Sequence, residues 1–597
     1  MPPPPVPREE TQRKLAQLSA ATLRHRPGQT YTVGDRLEER AAAHPERVFL
    51  RYEERTVGYG ALNALANRSA HAARGLGLRR GDVAALLMEN RPEFPATWMG
   101  LAKLGVTTAL LNTQLRGPAL AHAIAAVAPK LLIAGSECRE ALASLGAAAP
   151  PAFVAQDPGA GSGPGAWDEA LAGAPETDPD PTWRAGLVAG DDLLFVYTSG
   201  TTGLPKAARL SHMRWLGVGD GMSAVAGYGP ADVLACVLPL YHGAGGMVVL
   251  SCALAQGASV WLARRFSASR FWDEVRRHGV TGFQYVGEIC RYLAHQPPRP
   301  DDRAHRLRVM MGAGLGADVW RVFTERFGVE RILEGWSSTE ANTSLINLDG
   351  VVGSCGRIPF PELHNGRLLR IDLESETHPR DATGACIECG PGEAGEFVGM
   401  IPDLPDSGAG RFEGYTDPEA SARKVLRDVL RPGDRWYRSG DLLRRDEDGY
   451  FYFVDRIGDT FRWKSENVST QEVAGALAGF PELEIANVYG VRVAGAEGRA
   501  GMAALALRAG ARFDGAAFFA WTAARLPAYA APLFVRLVRE PDLTSTFKLR
   551  KLDLQRAGYS AARCAPDPLF VRDPANRSYV ELTAATLERL GIAPAPD

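Results

Sequence analysis

At 597 residues the chain is too long for a single core and should divide into at least two domains. It is 46% hydrophobic and 23% charged with a formal net charge of −2, an ordinary globular composition that gives no bulk electrostatic reason to bind nucleic acid. Eight scattered cysteines need no disulfide framework and favour a reducing cytoplasm, and the lone CxxC of Cys386 and Cys389 is only half of a four-cysteine zinc site, so it reads as a plain loop.

The start, MPPPPVPREE, is proline-rich and charged with no apolar h-region, so residues 1–30 are expected to form a disordered tail rather than a signal peptide. Inside it, TQRKLAQLSAATLRHR is amphipathic enough either for a packed helix or for a peripheral contact with a membrane surface. From Tyr31 to Ser136, helical patterns (VGDRLEERAAAHP, YGALNALANRSAHAARGLG) alternate with short apolar runs (VAALLM, KLLIAG), which favours a layered, parallel α/β sheet. The Pro/Gly/Ala-rich AAAPPAFVAQDPGAGSGPGAW reads as an exposed crossover. A second alternation runs through ADVLACVLPL, GASVWLA, SRFWDEVRRHGV and TGFQYV. After Gly350 come shorter strand-like pieces, with DEDGY as a hairpin turn, and from QEVAGALAGF the α/β alternation returns over a stretch compact enough to be its own domain. The expected fold class is α/β: a large N-terminal domain of layered subdomains over 31–455 and a small mobile α+β C-terminal domain over 456–597. No stretch is long and apolar enough to span a membrane, so a soluble chain is expected.

The apolar run LLFV leads straight into YTSGTTGLPK, Tyr197 to Lys206. Glycine lets main-chain N–H groups approach a ligand, serine and threonine add hydroxyl donors, and a lysine supplies a compact positive charge; together they suit a polyphosphate. The commonest phosphate motif, GxxxxGK[ST], needs a hydroxyl residue after its lysine, and Lys206 is followed by Ala207, so this is a phosphate loop of another type.

Five further stretches follow in order: PLYHGAGG (239–246), GAGLG (312–316), GWSSTEAN (335–342), WYRSGDLL (436–443) with FVDRIGDTFRWKSENVS (453–469), and TSTFKLRK (544–551). With the phosphate loop they resemble the adenylate-forming enzymes, and DRIGDTFRWKSENVS with SRFWDEVRRHGVTGFQYVGEICRYL is most similar to the branch of fatty-acid transport proteins and very-long-chain acyl-CoA synthetases. The resemblance implies two half-reactions with ATP, Mg²⁺ and CoA: a carboxylate attacks the α-phosphate to give acyl-AMP and pyrophosphate, and the CoA thiol then takes the acyl group. It also implies a small domain that turns between the two steps.

Residue by residue, the resemblance puts Thr198, Ser199, Gly200, Thr201, Thr202, Gly203 and Lys206 around the β- and γ-phosphates, with Thr198 also near the metal. Glu340 falls at the magnesium-binding glutamate; in isolation it would read as part of a helix start capped by Ser337 or Ser338. Trp336 takes the place of an aromatic against adenine, Ser338 and Thr339 join the nucleotide site, and Gly312, Ala313 and Gly314 line its other side. Asp441 matches the acceptor of the ribose hydroxyls, and Arg456 is either a ribose contact or an interdomain ion-pair partner. Lys548 matches the lysine that bridges acyl carboxylate and α-phosphate, beside the basic Arg550 and Lys551. His242 is balanced between the mouth of the acyl pocket and a satisfied core histidine, and Gly243, Gly245, Gly246 and Gly287 either leave room for the acyl group or serve tight packing. Lys464, Ser465 and Glu466 are placed at the CoA tunnel, where the branch usually carries glycine at the position of Ser465.

That serine, together with the departures around Trp336, leaves open a bulkier or specialised acid, an enzyme efficient in only one half-reaction, and an acceptor other than CoA. A fatty-acid binding or uptake role without ligation is the reading from another class, and the charged set of Lys206, Glu340, Asp441, Arg456 and Lys548 weighs against it. The partners expected are a small-molecule carboxylic acid, ATP and CoA, with no nucleic acid; a homodimer is left open.

Overall fold

The computed structural model describes residues 6–146, 151–157, 165–199, 204–373, 375–464, 466–496, 498–544 and 549–595, with the Ser199 side chain left out. The chain clusters into two compact units, one of Met1–Arg367, Val398–Ser439 and Asp446–Phe451, the other of Leu368–Phe397, Gly440–Arg445 and Tyr452–Asp597.

In the first unit the apolar runs become two sheets. One has six strands, in spatial order Ala152–Ala155, Leu131–Gly135, Val83–Leu87, Thr107–Leu110, Asp192–Ser199 and Pro205–Ser211, parallel except for the last. The other has eight, with six parallel strands at its centre and an antiparallel strand at each edge, Leu345–Ile346 and Arg55–Gly58. Unbroken runs such as VAALL and LLIAG fit strands covered on both faces by crossover helices. Leu86, Leu110 and Leu194 of the first sheet share one buried core with Leu234, Val260 and Leu333 of the second. Helices fill that core, where Trp98 and Trp215 meet edge to face at 5.6 Å. Helices Tyr59–Gly75 and Glu93–Lys103 approach so closely that a Cβ at Gly100 would stand 2.2 Å from the Ala66 carbonyl oxygen.

Two segments differ from the sequence expectation. AFVA, inside the supposed crossover, forms the edge strand beside Leu131–Gly135. The segment expected as a tail forms helix Arg8–Thr22 from its eighth residue onward, seated on the first unit. Leu15 and Leu18 join the main core, and Gly217 and Gly221 give the helix its seat: a Cβ at Gly221 would lie 2.1 Å from Thr22 Oγ1. At the other end Thr11 donates to Asp349 at 2.6 Å, Lys14 pairs with the same carboxylate at 3.0 Å, and Tyr450 donates to it at 3.0 Å. Arg357, itself buried, donates to Thr11 and to the Val6 carbonyl. These anchors lie more than three hundred residues away in sequence, so local composition does not reveal them.

The second unit holds a five-stranded sheet in the order Leu483–Val491, Ala500–Leu507, Phe534–Val538, Leu569–Asp573 and Ser578–Glu581, with only its second and third strands parallel. A separate hairpin pairs Phe461–Trp463 with Glu466–Val468. All eight cysteines are free and buried, and burial pushes the thiols of Cys138, Cys236, Cys252 and Cys389 up to about 12. No described helix is long and apolar enough to cross a membrane.

Asp349→Ala should leave buried cationic and hydroxyl groups without their shared acceptor. We expect a loss of about 3 kcal/mol in chemical denaturation of the first unit, the scale for breaking one side of a buried ion pair.

Candidate active site

The phosphate stretch is a hairpin. Strand Asp192–Ser199 pairs antiparallel with Pro205–Ser211, and the register sets Thr198 opposite Lys206 and Ser199 opposite Pro205. Directly opposed residues project to the same face, so the Thr198 hydroxyl and the Lys206 stem stand side by side at the root of the loop. Gly200, Thr201, Thr202 and Gly203 lie outside the described residues.

The far edge of strand Pro205–Ser211 takes up a second segment: Arg209 N–H donates to Gly414 O at 3.0 Å, Thr416 N–H donates to Ala207 O at 3.0 Å, and Tyr415 bridges Ala208. This seats the buried Tyr415 against Glu340, and the Tyr415 hydroxyl donates to Glu340 Oε1 at 2.8 Å. The Thr198 side chain interacts with the same tyrosine oxygen. Glu340 is 7% exposed, and its second oxygen, Oε2, is buried with no hydrogen-bond partner. A buried, unpartnered carboxylate oxygen costs free energy unless a cation or donor meets it.

Glu340 follows strand Arg331–Trp336, which runs parallel to Val309–Ala313 and ends on the buried Trp336. Beneath the Gly312–Ala313–Gly314 turn sits Glu334, absent from the sequence reading. Its Oε1 accepts from Gly314 N–H at 2.6 Å and from Leu315 N–H at 3.3 Å, and its Oε2 takes the Tyr285 hydroxyl. Burial pushes the Glu334 carboxyl up to about 8, against which these donors pull down. Gly314 adopts φ 86°, and a Cβ at Gly287 would stand 1.7 Å from its carbonyl oxygen, so Gly287 serves a close backbone approach. Ser338 Oγ meets the buried Tyr437 hydroxyl at 3.0 Å.

His242 caps the π-helical segment Gly243–Val249, its Nδ1 accepting from Ala244 N–H at 3.3 Å. A Cβ at Gly245 or Gly246 would collide with the Pro239 or Leu240 carbonyl, at 2.6 and 2.0 Å. At Gly243 it would reach ordinary contact with Thr339 Oγ1 at 3.4 Å, which places this turn beside the Ser338–Thr339–Glu340 run. Of the four glycines weighed for acyl room, three are therefore required by packing.

In the second unit, Arg456 Nε lies 3.8 Å from Asp441 Oδ1, and the adjacent Gly440 N–H donates to the buried Glu396 at 2.8 Å. Lys464 adopts φ 53° in the turn of the hairpin that pairs Trp463 with Glu466, a left-handed conformation strained for a residue with a Cβ. Ser465 and Lys548 lie outside the described residues. Lys551 is held by Asp459 at 3.0 Å and by Thr470 Oγ1 at 2.6 Å; Thr470 also bonds the buried Asp455, whose carboxyl burial pushes up. Tyr415, Glu334, Tyr437 and Asp455 are not singled out by the sequence; Tyr437 and Asp455 lie inside quoted stretches, Glu334 immediately before one, and Tyr415 in none.

A family model described as AMP-binding enzyme matches residues 37–385. The medium/long-chain-fatty-acid–CoA ligase FadD6 of Mycobacterium tuberculosis is 38% identical, covering 96% of this chain and 93% of its own. Human long-chain fatty acid transport protein 5 is 42% identical, covering 94% of this chain and 83% of its own. Among solved structures, ATP-bound MatB from Rhodopseudomonas palustris matches with a TM-score of 0.72 at 23% identity, over 88% of this chain and 98% of its own, a likeness of fold. The chain belongs to the AMP-binding family of adenylate-forming enzymes. Within that family it is an AMP-forming acyl-CoA synthetase, related to the fatty-acid–CoA ligases and long-chain fatty acid transport proteins.

The Glu334 site carries a pH signature. Its carboxyl rises from 4.5 to about 8 on folding, so between those values the native state holds a proton that the unfolded state has released, and stability falls as pH rises. Glu334→Gln should remove this slope: wild type should lose on the order of 4 kcal/mol relative to the variant between about pH 5 and pH 8.5 in denaturation midpoints.

Proposed function

We propose that the chain activates a long-chain fatty acid, or a bulkier carboxylic acid of similar apolar character, as acyl-AMP with ATP and Mg²⁺, and then passes the acyl group to CoA. The observation that carries this reading is the buried, unpartnered Glu340 Oε2 linked through Tyr415 to Thr198, which stands opposite Lys206.

Those residues fit a magnesium ion. No three His, Cys, Asp or Glu side chains gather as a metal cage among the described residues. Glu340 and Thr198 would hold the ion with substrate oxygens completing its shell, the usual arrangement for a hard cation that dehydrates reluctantly. When bound, the ion supplies charge neutralisation at the phosphates. Lys206 offers a point charge for the β- and γ-phosphates, with Ser199, Gly200, Thr201, Thr202 and Gly203 as donors around them. Trp336 lies against adenine, with Ser338 and Thr339 beside it and Gly312, Ala313 and Gly314 across from it. Asp441 accepts from the ribose hydroxyls and Arg456 steadies it.

The C-terminal residues serve the two half-reactions in turn, with a functional boundary near Asp455 and Arg456. Lys548 neutralises charge as carboxylate and α-phosphate come together, and Lys464, Ser465 and Glu466 serve the thiol step. His242, engaged as a cap through Nδ1, shapes the mouth of the acyl site rather than moving a proton. The free, buried cysteines support work in a reducing cytoplasm.

Pyrophosphate release should depend on a carboxylic acid and occur without CoA, with acyl-AMP seen by mass spectrometry and acyl-CoA appearing once CoA is added. Lys206→Ala and Asp441→Ala should each lower kcat/KM for ATP by roughly 10²-fold, and Lys548→Ala should stop acyl-AMP formation while sparing conversion of supplied acyl-AMP. Pyrophosphate release that follows no acid in a panel from short to very long chains would overturn the reading.

A further inference from the structure

Tyr415 belongs to none of the motifs that carry the adenylation chemistry, yet its hydroxyl stands between the two side chains proposed to hold the metal. It donates to Glu340 Oε1 at 2.8 Å, and its oxygen interacts with the Thr198 side chain. We propose that Tyr415 is the positioning residue of the metal site, a single phenol that orients both ligands at once. The inference rests on the function proposed above.

The geometry has a direction. A tyrosine hydroxyl has one proton to give, and here it goes to Oε1. The carboxylate is thereby fixed in rotation, with Oε2 the oxygen left bare. A threonine hydroxyl also has one proton; given to the tyrosine oxygen, it leaves the Thr198 lone pairs for a cation. One side chain thus turns an acceptor outward from each ligand. Outer partners of this kind typically tune metal affinity by ~10- to 100-fold.

Three features hold Tyr415 to the task. Its backbone is zipped to strand Pro205–Ser211 by the flanking Gly414 and Thr416, so its place relative to Thr198 is set through the same hairpin that carries Lys206. Its ring lies in a small cluster with Ala208 and Ala420, where alanine leaves room for a ring. A phenol is a hydrogen-bond donor throughout the neutral range, so the Tyr415 hydroxyl has a proton to give to Glu340.

The test uses Mn²⁺ as a spectroscopic probe in the presence of a non-hydrolysable ATP analogue, read by electron paramagnetic resonance on the full chain. Tyr415→Phe keeps the ring and removes the hydroxyl. It should weaken Mn²⁺ binding to the enzyme–nucleotide complex about tenfold, raise the Mg²⁺ concentration needed for half-maximal pyrophosphate release, and leave metal-free nucleotide affinity unchanged. Replacing Tyr415 by 4-aminophenylalanine, which restores an N–H donor at the same place, should recover most of the affinity; a purely space-filling role would make phenylalanine as good as the amine. Glu340→Gln separates the two layers. If it leaves Mn²⁺ binding intact, the metal reading of Glu340 falls and this assignment falls with it. If it abolishes binding while Tyr415→Phe binds Mn²⁺ like wild type, the assignment to Tyr415 alone is overturned. Should the phenylalanine variant fail to fold, the 4-aminophenylalanine protein decides by itself: wild-type affinity supports the donor role and a tenfold loss overturns it.

Discussion

The main-chain ladder of strand Pro205–Ser211 is the constraint from which the site follows. On one side it pairs with Asp192–Ser199 and brings Thr198 against Lys206; on the other it binds Gly414 and Thr416 and brings Tyr415 to Glu340. Three side chains from two distant parts of the sequence, Thr198, Lys206 and Tyr415, are thus placed by backbone hydrogen bonds of one strand, and Tyr415 meets Glu340 from there. Each bond contributes only about 1 kcal/mol net, but a slip of one residue would turn Thr198 and Lys206 to the opposite face. Register, more than the strength of any one contact, determines whether the site exists.

A second regularity is the handling of buried carboxylates. Glu334 is bound by two backbone N–H groups and a phenol, Asp455 by a backbone N–H and a threonine hydroxyl, and Asp349 by a threonine, a tyrosine and a lysine. Each is met by several donors, as a polar group taken out of water requires. Glu340 differs from these three, with one oxygen satisfied and one bare. Its bare oxygen faces the residues proposed as the metal site, which other bare carboxylate oxygens such as Asp302 Oδ1 do not.

What the sequence discloses, and what it hides, follows from range. The parallel strands are legible because burial on both faces demands continuous apolar runs such as VAALL and VLAC, and YTSGTTGLPK could be singled out because its ten residues are contiguous. Helix Arg8–Thr22 is hidden because its anchors, Asp349, Arg357 and Tyr450, are hundreds of residues away, and proline and charge at the very start mimic a tail. Tyr415 is hidden for the same reason: GYT is an unremarkable tripeptide until strand pairing carries it to Glu340. Glu334 lies two residues before Trp336, yet nothing local says that it holds the Gly314 turn rather than facing solvent. The glycines around His242 were legible as glycines but not as to cause, since a carbonyl 2 Å from an absent Cβ is a fact of three dimensions.

The buried thiols have a chemical corollary. A protein that makes thioesters handles a reactive acyl donor beside a free thiol, and any thiolate of its own would compete for that acyl group or form a mixed disulfide with the carrier. With Cys138, Cys236, Cys252 and Cys389 held at about 12 and every cysteine out of solvent, the thiolate fraction at neutral pH is negligible. The chain is thereby a silent vessel for thioester chemistry: its product leaves without detour through self-acylation, and its own cysteines resist the oxidants and alkylating agents that would silence a thiol-dependent enzyme.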